Sequence, residues 1–575
     1  MRLYIFFTVV LAYLATACAE VMQSDSSTDY GSKMVTEKIL AFNGDVNTKV
    51  TIDADAKFAW SVGDNIAVHV SKGDSHKYVF TSGEGGASVA EQTASFIVRY
   101  ESEYVRDAFA IFPSTIVAAD AAKYGQSGDS LDVTLPSTYT LGQVSGETSP
   151  CPMIADNTGT NWTFYQLCGL LRLTVNSIPP STKRLEINFN GKNVAGKFAI
   201  PNPVKGDGTS TIALKNASGS NSSVITITNS GNTFYNGWGD GKVFNIPLPA
   251  GEYTNITVTA YNAPSGGDTV LTTTRPFAYT ASNQYGTKRT ASFPVFSISG
   301  SRRVIFAPGN LQATTTDLGE NWTWRFAEHQ YDCLRSGGAN TKITGNKSVS
   351  ENGTIDLFSC STTDYYYGIT NSVNNESSDF TGAFVDWGTL EITYKGVPYP
   401  SGYWRTLTCY TDDNYELGYM MRHRTTKCVT VNSIANARFT QATINSDGTP
   451  VHGVIIFPDY YAGPTESTSD ITWGNQINSY AGTNWGGTSC TIEGWQTLES
   501  AGCAFLPEAG RREGNTVYTD YSRYASSTLT TWNIGKIFYL WRGFQFQTGG
   551  GTNTYWDKTA SRRVAAAVRL AHEVQ

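Results

Sequence analysis

The sequence is poor in charge. Of its 575 residues only 16% are Asp, Glu, Lys or Arg, and the formal net charge is −7. Binding of nucleic acid needs a basic face that neutralises phosphates, so that class is excluded. Histidine is scarce, six in all, and none of the nine cysteines belongs to a CxxC pair. The spacings match no zinc centre. No long apolar run follows the N-terminus, and a P-loop, HExxH, GxSxG and GxGxxG are missing in usable context. No catalytic residue, metal ligand or cofactor is therefore assigned. What is abundant is 55 Gly, 32 Tyr, 27 Phe and 13 Trp, a mixture that suits strands, turns and polar loops. The length suggests about three or four domains.

Residues 1–17 read MRLYIFFTVVLAYLATA, one Arg and then an apolar stretch ending in small residues, with Cys18 next. This is too short for a membrane span and has the anatomy of an export signal. The small residues before Cys18 resemble a bacterial lipoprotein box, which implies lipidation of Cys18. The alternative is an ordinary signal cleaved near Ala17. A polar segment follows and reads as a tether. Of the remaining cysteines (Cys151, Cys168, Cys333, Cys360, Cys409, Cys428, Cys490 and Cys503), a pairing such as Cys409 with Cys428 and free buried thiols are both open.

From about residue 38 short apolar–polar alternations recur between Gly- and Pro-rich separators, the rhythm of an all-β sandwich. Trp60, Ile66 and Val68 share a face, with Gly63-Asp64 as a turn. A second such block starts near Cys151, with GLLRLTV, KRLEINF, SVITITN, KVFNIPL and YTNITVTA as strands. Leu185, Ile187 and Phe189 share one face there, and Ile225 with Ile227 another. Past residue 297 the texture changes to Trp, Tyr, Asn and Gly in less regular order. Two helices are expected: one follows a capping box of Asp413 and Glu416 and carries Leu417, Met420, Met421 and Arg424, and the other sets Trp495, Leu498 and Ala501 on one side. VHGVIIFP, IFYLWRGFQF and RRVAAAVRL read as strands. His423 is read as a helix-end residue and Asp412-Asp413 as capping rather than calcium ligands. Tyr365, Tyr366, Tyr367 and the NWTWRF aromatics suit carbohydrate or protein contact, or hold loops in place; no ligand-binding residue is assigned.

Two resemblances extend this reading. Trp60-Ser-Val-Gly63-Asp64-Asn-Ile66, LDVTLPS, Pro152-Met153-Ile-Ala155 and FYQLCGLLRLTV, in that order, resemble the succession in the fimbrillin-like proteins of Bacteroidetes, surface lipoproteins related to subunits of strand-exchange fimbriae. The resemblance implies two tandem transthyretin-like sandwiches. It also implies, for polymerising members, proteolytic removal of an N-terminal segment and acceptance of a donor strand from the next subunit. Lys33, Lys38, Lys49 and Arg99 are all open as the cleavage residue. Further on, PVFSISGSRRVIFAPGNLQ, NWTWRFAEHQYD, SGYWRTLT, FLPEAGRREG, SRYASST and AAVRL are similar to a Bacteroides surface domain related to the C-type-lectin-like and sulfatase-modifying-factor fold, with Trp404-Arg405-Thr406-Leu407-Thr408 as its central motif.

The expectation is a mostly β chain: signal peptide 1–17, lipid-anchored tether 18–37, fimbrillin-like β-sandwich 38–150, a second one 151–296, and a mixed α+β C-type-lectin-like domain 297–575. Its expected role is a cell-surface fimbrial tip or accessory subunit with adhesive function, and no enzyme. The rivals are a non-polymerising surface lipoprotein that binds glycan or protein, and an enzyme of unknown class in the C-terminal domain. The partners implied are pilin subunits by donor-strand addition, a host or dietary glycan or protein, and the outer membrane through the lipid on Cys18.

Overall fold

The computed structural model describes residues 34–43, 60, 63–84, 93–118, 120–123, 129–146, 151–156, 161–201, 214–217, 219–273, 276–281, 288–345, 348–358, 369, 387–408, 416–422, 427–446, 448–475, 477–478, 487–519, 521–533, 537–547, 555–561 and 564–575. Cys18, Cys360, Cys409, Asp412, Asp413, His423, Arg424 and Tyr365 to Tyr367 lie outside them. The chain is mostly β, as the alternation predicts.

Five strands come first: β1 (Met34–Asn43), β2 (Asn65–Lys72), β3 (Ser75–Glu84), β4 (Thr93–Glu101) and β5 (Val105–Phe112). The chain then departs through β6 (Ser130–Leu135) and β7 (Thr138–Thr140) and returns as β8 (Met153–Asp156) and β9 (Asn161–Gln166). Hydrogen bonding runs β1-β4-β3-β2-β5-β8-β9 and closes, because β9 pairs in parallel with β1. Period-two alternation fills this barrel. Ile66, Val68 and Val70 of β2, Ala110 and Phe112 of β5, and Phe96 and Val98 of β4 point inward around Trp60. Phe96, Phe112 and Phe164 each set an edge-to-face contact on that indole, at 5.1–5.2 Å.

The second unit is a sandwich built from β10 (Gly169–Asn176), β11 (Arg184–Asn188), β12 (Gly196–Pro201), β13 (Lys215–Asn216), β14 (Val224–Thr228), β15 (Lys242–Leu248), β16 (Gly251–Tyr261), β17 (Thr269–Thr272), β18 (Phe277–Ala281) and β19 (Arg289–Ser292). The sheet β15-β10-β19 faces the sheet β17-β16-β11-β14-β7, with β18 beside β16. Leu171, Leu173 and Val175 meet Leu185, Ile187, Ile225 and Ile227 between them. The expected Leu185/Ile187 and Ile225/Ile227 faces are thus buried.

The expected borders do not coincide with the sheets. Met34 to Glu37, placed in the tether, belong to β1. A border at 150/151 cuts the barrel, since β8 and β9 pair with β5 and β1, while β6 pairs with β12 and β7 with β14 of the sandwich. The physical reason is a shared core. β5, β8 and β10 are apolar on both faces, and their outward residues Phe109, Ile111, Ile154 and Leu170 are covered by Leu131, Val133, Phe198 and Ile200 of the small sheet β13-β12-β6. Alternation alone cannot show which neighbour covers an outer face.

At 296/297 the same happens: Phe296–Ser297 pairs with Arg303–Phe306, which pairs with Ala571–Val574. The first and last strands of the C-terminal block therefore lie side by side. Asp240 of the sandwich takes a bidentate ion pair from Arg303 at 2.8 and 2.5 Å, and Arg303 lies 4.3 Å from the Trp238 ring. Around this pair stand Lys427, 3.5 Å from Asp240, and the buried Asp459, which accepts from Arg438 at 2.9 Å and from Ser297 at 2.5 Å. The Trp238 indole also donates to Ser301 O at 2.9 Å.

Both expected helices form, as Glu416–Arg422 and Ile492–Ser500. Trp495, Leu498 and Ala501 share one apolar cluster, and Leu417, Met420 and Met421 another. Thr491 caps the second helix by accepting from Gly494 N at 3.1 Å. The Glu416 carboxylate is held by Arg405 at 2.9 and 2.7 Å and by the Thr408 N–H at 2.9 Å; Asp413, its expected capping partner, lies outside the described residues. RRVAAAVRL is not one strand: among its described residues only Val564–Ala565 is a ladder, with single bridges from Ala566 to Phe358 and from Ala567 to Tyr524, and the strand Ala571–Val574 follows it. Its small side chains admit separate neighbours at each step.

Candidate functional site

Two places have geometry that a partner could use. The first is the seam of the barrel. β1 lies between β4 and β9, with Ile39 opposite Phe96, Glu37 opposite Val98 and Val35 opposite Tyr100. Ile39 and Ala41 are fully buried, while Thr36, Lys38 and Leu40 face outward. Glu37 pins the strand: it accepts from the Tyr100 hydroxyl and from Arg106 Nε at 2.6 Å, and Arg106 lies 4.9 Å from the Trp162 ring. Burial opposes ionisation of Glu37, but these two hydrogen bonds outweigh it and hold the carboxyl below its ordinary range. Burial and the same bond push the Tyr100 hydroxyl up to about 12.

Of the four basic residues considered for cleavage, Lys38 sits within β1 and Arg99 within β4 opposite Thr36, both exposed. Lys33 and Lys49 lie outside the described residues.

The second place is a polar cleft of about 600 Å³ in the C-terminal block. The strand Thr323–Phe326 contributes Arg325, the segment after it Glu328, Tyr331, Asp332, Cys333 and Arg335, and the hairpin of Phe439–Ser446 and Thr449–Ile456 contributes Ser446, Thr449 and His452. Glu508 lies at the base, 1% exposed, and binds Arg335 Nη2 at 3.0 Å. His452 Nδ1 is 2.9 Å from Thr443 Oγ1. Burial, with the Arg335 charge, holds its imidazole below the ordinary value, so it is neutral at pH 7. The Cys333 thiol is pushed up to about 12 by burial and by the carboxylates of Asp356 and Glu508, which leaves it a poor nucleophile. The cleft presents guanidinium, carboxylate, hydroxyl and imidazole groups beside one phenol ring. That set pairs with the hydroxyls of a sugar-sized polar ligand. Among the described residues no three His, Cys, Asp or Glu side chains converge as metal ligands.

The sequence assigns none of the cleft residues to ligand binding, although Arg325, Glu328, Tyr331, Asp332 and Glu508 lie in the segments that carry the second resemblance and Cys333 is among the cysteines named. Glu508 had a signal, an acid inside the apolar run AFLPEAG, where an ionised group needs a buried partner. Of the aromatics singled out, Tyr365 to Tyr367 lie outside the described residues and Trp322 is half-buried. Trp324 and Phe326 of NWTWRF are buried, and Phe326 packs edge-to-face on the buried Trp404 at 5.4 Å. They hold loops together, as does Gly388, where a Cβ would lie 1.8 Å from Trp404 O.

No family model and no curated protein sequence matches the chain. Comparison with solved structures finds a candidate cell adhesion protein from Bacteroides ovatus, with 13% identity and a TM-score of 0.24 over 41% of this chain and 86% of that one. A candidate cell adhesion protein from Bacteroides fragilis gives 10%, 0.20, 50% and 97% in the same order. The tip fimbrial protein Mfa3 from Porphyromonas gingivalis, with a C-terminal truncation, gives 11%, 0.16, 41% and 80%. TM-scores of this size do not establish a shared fold.

Proposed function

We propose that the chain is an exported, lipid-anchored fimbrillin-like subunit of the cell surface, at a fimbrial tip or in an accessory position. In this reading it joins its assembly by exchanging β1 for a donor strand and contacts a glycan or polar protein surface through the C-terminal block. The observation that carries the reading is the position of β1: the first described strand is also the closing strand of the barrel. Its loss would leave Phe96, Val98, Trp162 and Phe164 along an open groove, with unpaired backbone groups on β4 and β9. An added strand satisfies both at once. A cut at Lys33 would leave β1 in place, a cut at Lys38 would halve it, and a cut at Arg99 would break β4. Lys49 follows β1 in sequence and precedes Trp60, so a cut there releases the strand and spares β2 to β9.

The pairing of Arg303–Phe306 with Ala571–Val574, which brings the two ends of the block together, supports a lectin-like closure of that block. The polar cleft supports its use in adhesion, and also favours the second reading, a surface lipoprotein that binds its ligand without polymerising.

The test is cleavage of the full chain by a trypsin-like protease, followed by binding of a fluorescent peptide with the sequence of residues 34–43. Expected are a new N-terminus at residue 50, retained strand content by circular dichroism, and saturable uptake of the peptide. A folded, cleaved chain that takes up no peptide sinks the exchange reading. Probing the uncleaved chain on a glycan array then addresses the second reading. Labelling with a lipid precursor, lost in Cys18→Ala, tests the anchor.

A further inference from the structure

Cys151 stands just before β8 and Cys168 just after β9. These strands pair antiparallel, with Met153 opposite Gln166, Ile154 opposite Tyr165 and Ala155 opposite Phe164. The ladder continues one rung beyond its formal end, because the Leu167 N–H donates to Pro152 O at 2.8 Å. Pro152 therefore faces Leu167 in a hydrogen-bonded pair, and continuing the same register one rung further sets Cys151 opposite Cys168, both free thiols in this structure. That rung is of the narrow, non-hydrogen-bonded type, whose Cα atoms lie about 4.5 Å apart. A cystine accepts Cα separations of about 4.4–6.8 Å. Residues opposite one another in such a pair project to the same side. Both cysteines join one apolar cluster at 2% and 0% exposure, and Cys151 Sγ lies 3.7 Å from Cys168 O. Cys490 and Cys503 also share a cluster, but one lies on a strand and the other follows a helix, with no common ladder.

We propose that Cys151 and Cys168 form a cross-strand cystine when the chain folds in an oxidising compartment. The oxidant is a dithiol–disulfide carrier of the thiol oxidoreductase class. The thiolate of one cysteine attacks the carrier's disulfide and breaks that S–S bond, giving a mixed disulfide and one carrier thiolate. The second cysteine's thiolate then attacks the sulfur of the first, forming the Cys151–Cys168 bond and releasing the carrier. Two electrons pass from the cysteines to the carrier, which leaves as a dithiol with the two protons. Burial pushes the Cys151 thiol up to about 12 and the Cys168 thiol well above its ordinary value. A buried, protonated thiol exchanges poorly, so the bond forms before the barrel packs against the sandwich and is then shielded from reductants.

The cystine sits where the barrel passes into β10. If β1 is exchanged as proposed above, β9 becomes an edge strand held only by β8, and the cystine fixes the base of that pair while the groove is open. The bond itself does not depend on that reading.

Its presence is read from one peptide. Trypsin cleaves after Lys123 and Arg172, and the segment 124–172 contains these two cysteines and no other. The full chain, exported to an oxidising compartment or refolded with oxidised and reduced glutathione, is denatured and alkylated without reductant. Expected is segment 124–172 free of alkyl groups and lighter by two hydrogens than the dithiol, taking two alkyl groups only after reduction. Two alkyl groups on a folded chain without prior reduction overturn the proposal. The Cys151→Ala/Cys168→Ala variant is expected to unfold several degrees below the oxidised parent and to be indifferent to reductant. A parent whose unfolding midpoint does not fall on reduction overturns the proposed constraint. Should the cystine be present and the donor peptide still fail to bind, strand exchange falls and the cystine stands.

Discussion

In the sandwich the central positions are taken by Leu173, Ile187, Ile227 and Val258, each fully or almost fully buried, with backbone polar groups engaged in ladders. In the C-terminal block a comparable position holds Arg569. Its guanidinium donates to Asn310 Oδ1, Ala307 O, Gln330 Oε1, Gln330 O and Phe505 O, at 2.9–3.2 Å, with no carboxylate among them. Burial lowers its pKa to about 10, which still leaves it charged at pH 7. Arg512 is likewise buried and lowered to about 9, donating to Gly514 O and Leu357 O. The sandwich satisfies its backbone by repetition. The block has short ladders and many loops, and its carbonyls are gathered by buried side chains that each bind several segments at once.

The largest effect is expected at that contrast. Arg569→Met keeps most of the volume and removes every one of those donors. Three main-chain carbonyls then lose a partner inside the block, at about 1–3 kcal/mol for each group left unsatisfied, while Gln330 Oε1 still accepts from Phe505 N and Asn310 Oδ1 from the Tyr524 hydroxyl. The loss is of the order of a whole domain's stability, so the block should fail to fold while the barrel and sandwich remain. Leu173→Ala in the sandwich should cost about 3 kcal/mol and leave the chain folded. Limited proteolysis with mass spectrometry separates the two. A protease-resistant block in Arg569→Met would show that the carbonyl cage is not its anchor.

This contrast also explains what could be read in advance. Strands with one apolar face, such as Val224–Thr228, announce themselves by period two, and both helices did so through Leu417/Met420/Met421 and Trp495/Leu498/Ala501. Sheet partners did not, because β5 and β10 are apolar on both faces and a strand does not specify which neighbour covers it. The cleft was hidden for another reason. Arg335 and Glu508 are 173 positions apart, and only the folded chain brings them together. Arg569 in AAAVRL looks like any surface arginine until Ala307, Gln330 and Phe505 are found around it.

The second prediction tests whether the two regions are separable. Arg303 is 1% exposed and Asp240 supplies its bidentate partner across the junction. Asp240→Ala strands a buried guanidinium, with Asp459 at 3.7 Å from Nε as the remaining acid. Removing one partner of such a pair costs about 3–5 kcal/mol. The expected outcome is a new cleavage site near residues 297–302 and separate unfolding of the two regions, seen as two calorimetric transitions. A single unchanged transition would mean that the apolar contact of Ile305 and Val574 with the sandwich core suffices.

The smallest effect is a difference in pH response. Asp356 is buried in the block, where its carboxylate accepts from Leu334 N at 2.7 Å and Asn340 Nδ2 at 2.8 Å. Burial outweighs these bonds and raises its pKa to about 6. The folded block thus binds a proton that the unfolded chain, titrating near 4, has already lost. Its contribution is fully present below about pH 4 and is lost as pH rises through about 6, a change of roughly 3 kcal/mol. His69 in the barrel runs the opposite way. Burial lowers its pKa against the pull of Asp107, 2.6 Å away, so the barrel loses stability as pH falls below the ordinary histidine value. Hydrogen exchange, referenced at each pH to the unfolded chain, should show protection of the block falling and that of the barrel rising between pH 4 and 6. Asp356→Asn should flatten the block's response. At pH 4 it should also lower protection by about 1–2 kcal/mol, because its single amide oxygen cannot accept from both Leu334 and Asn340. A variant that keeps the parent's slope would assign the titration to another group and remove this distinction between the two regions.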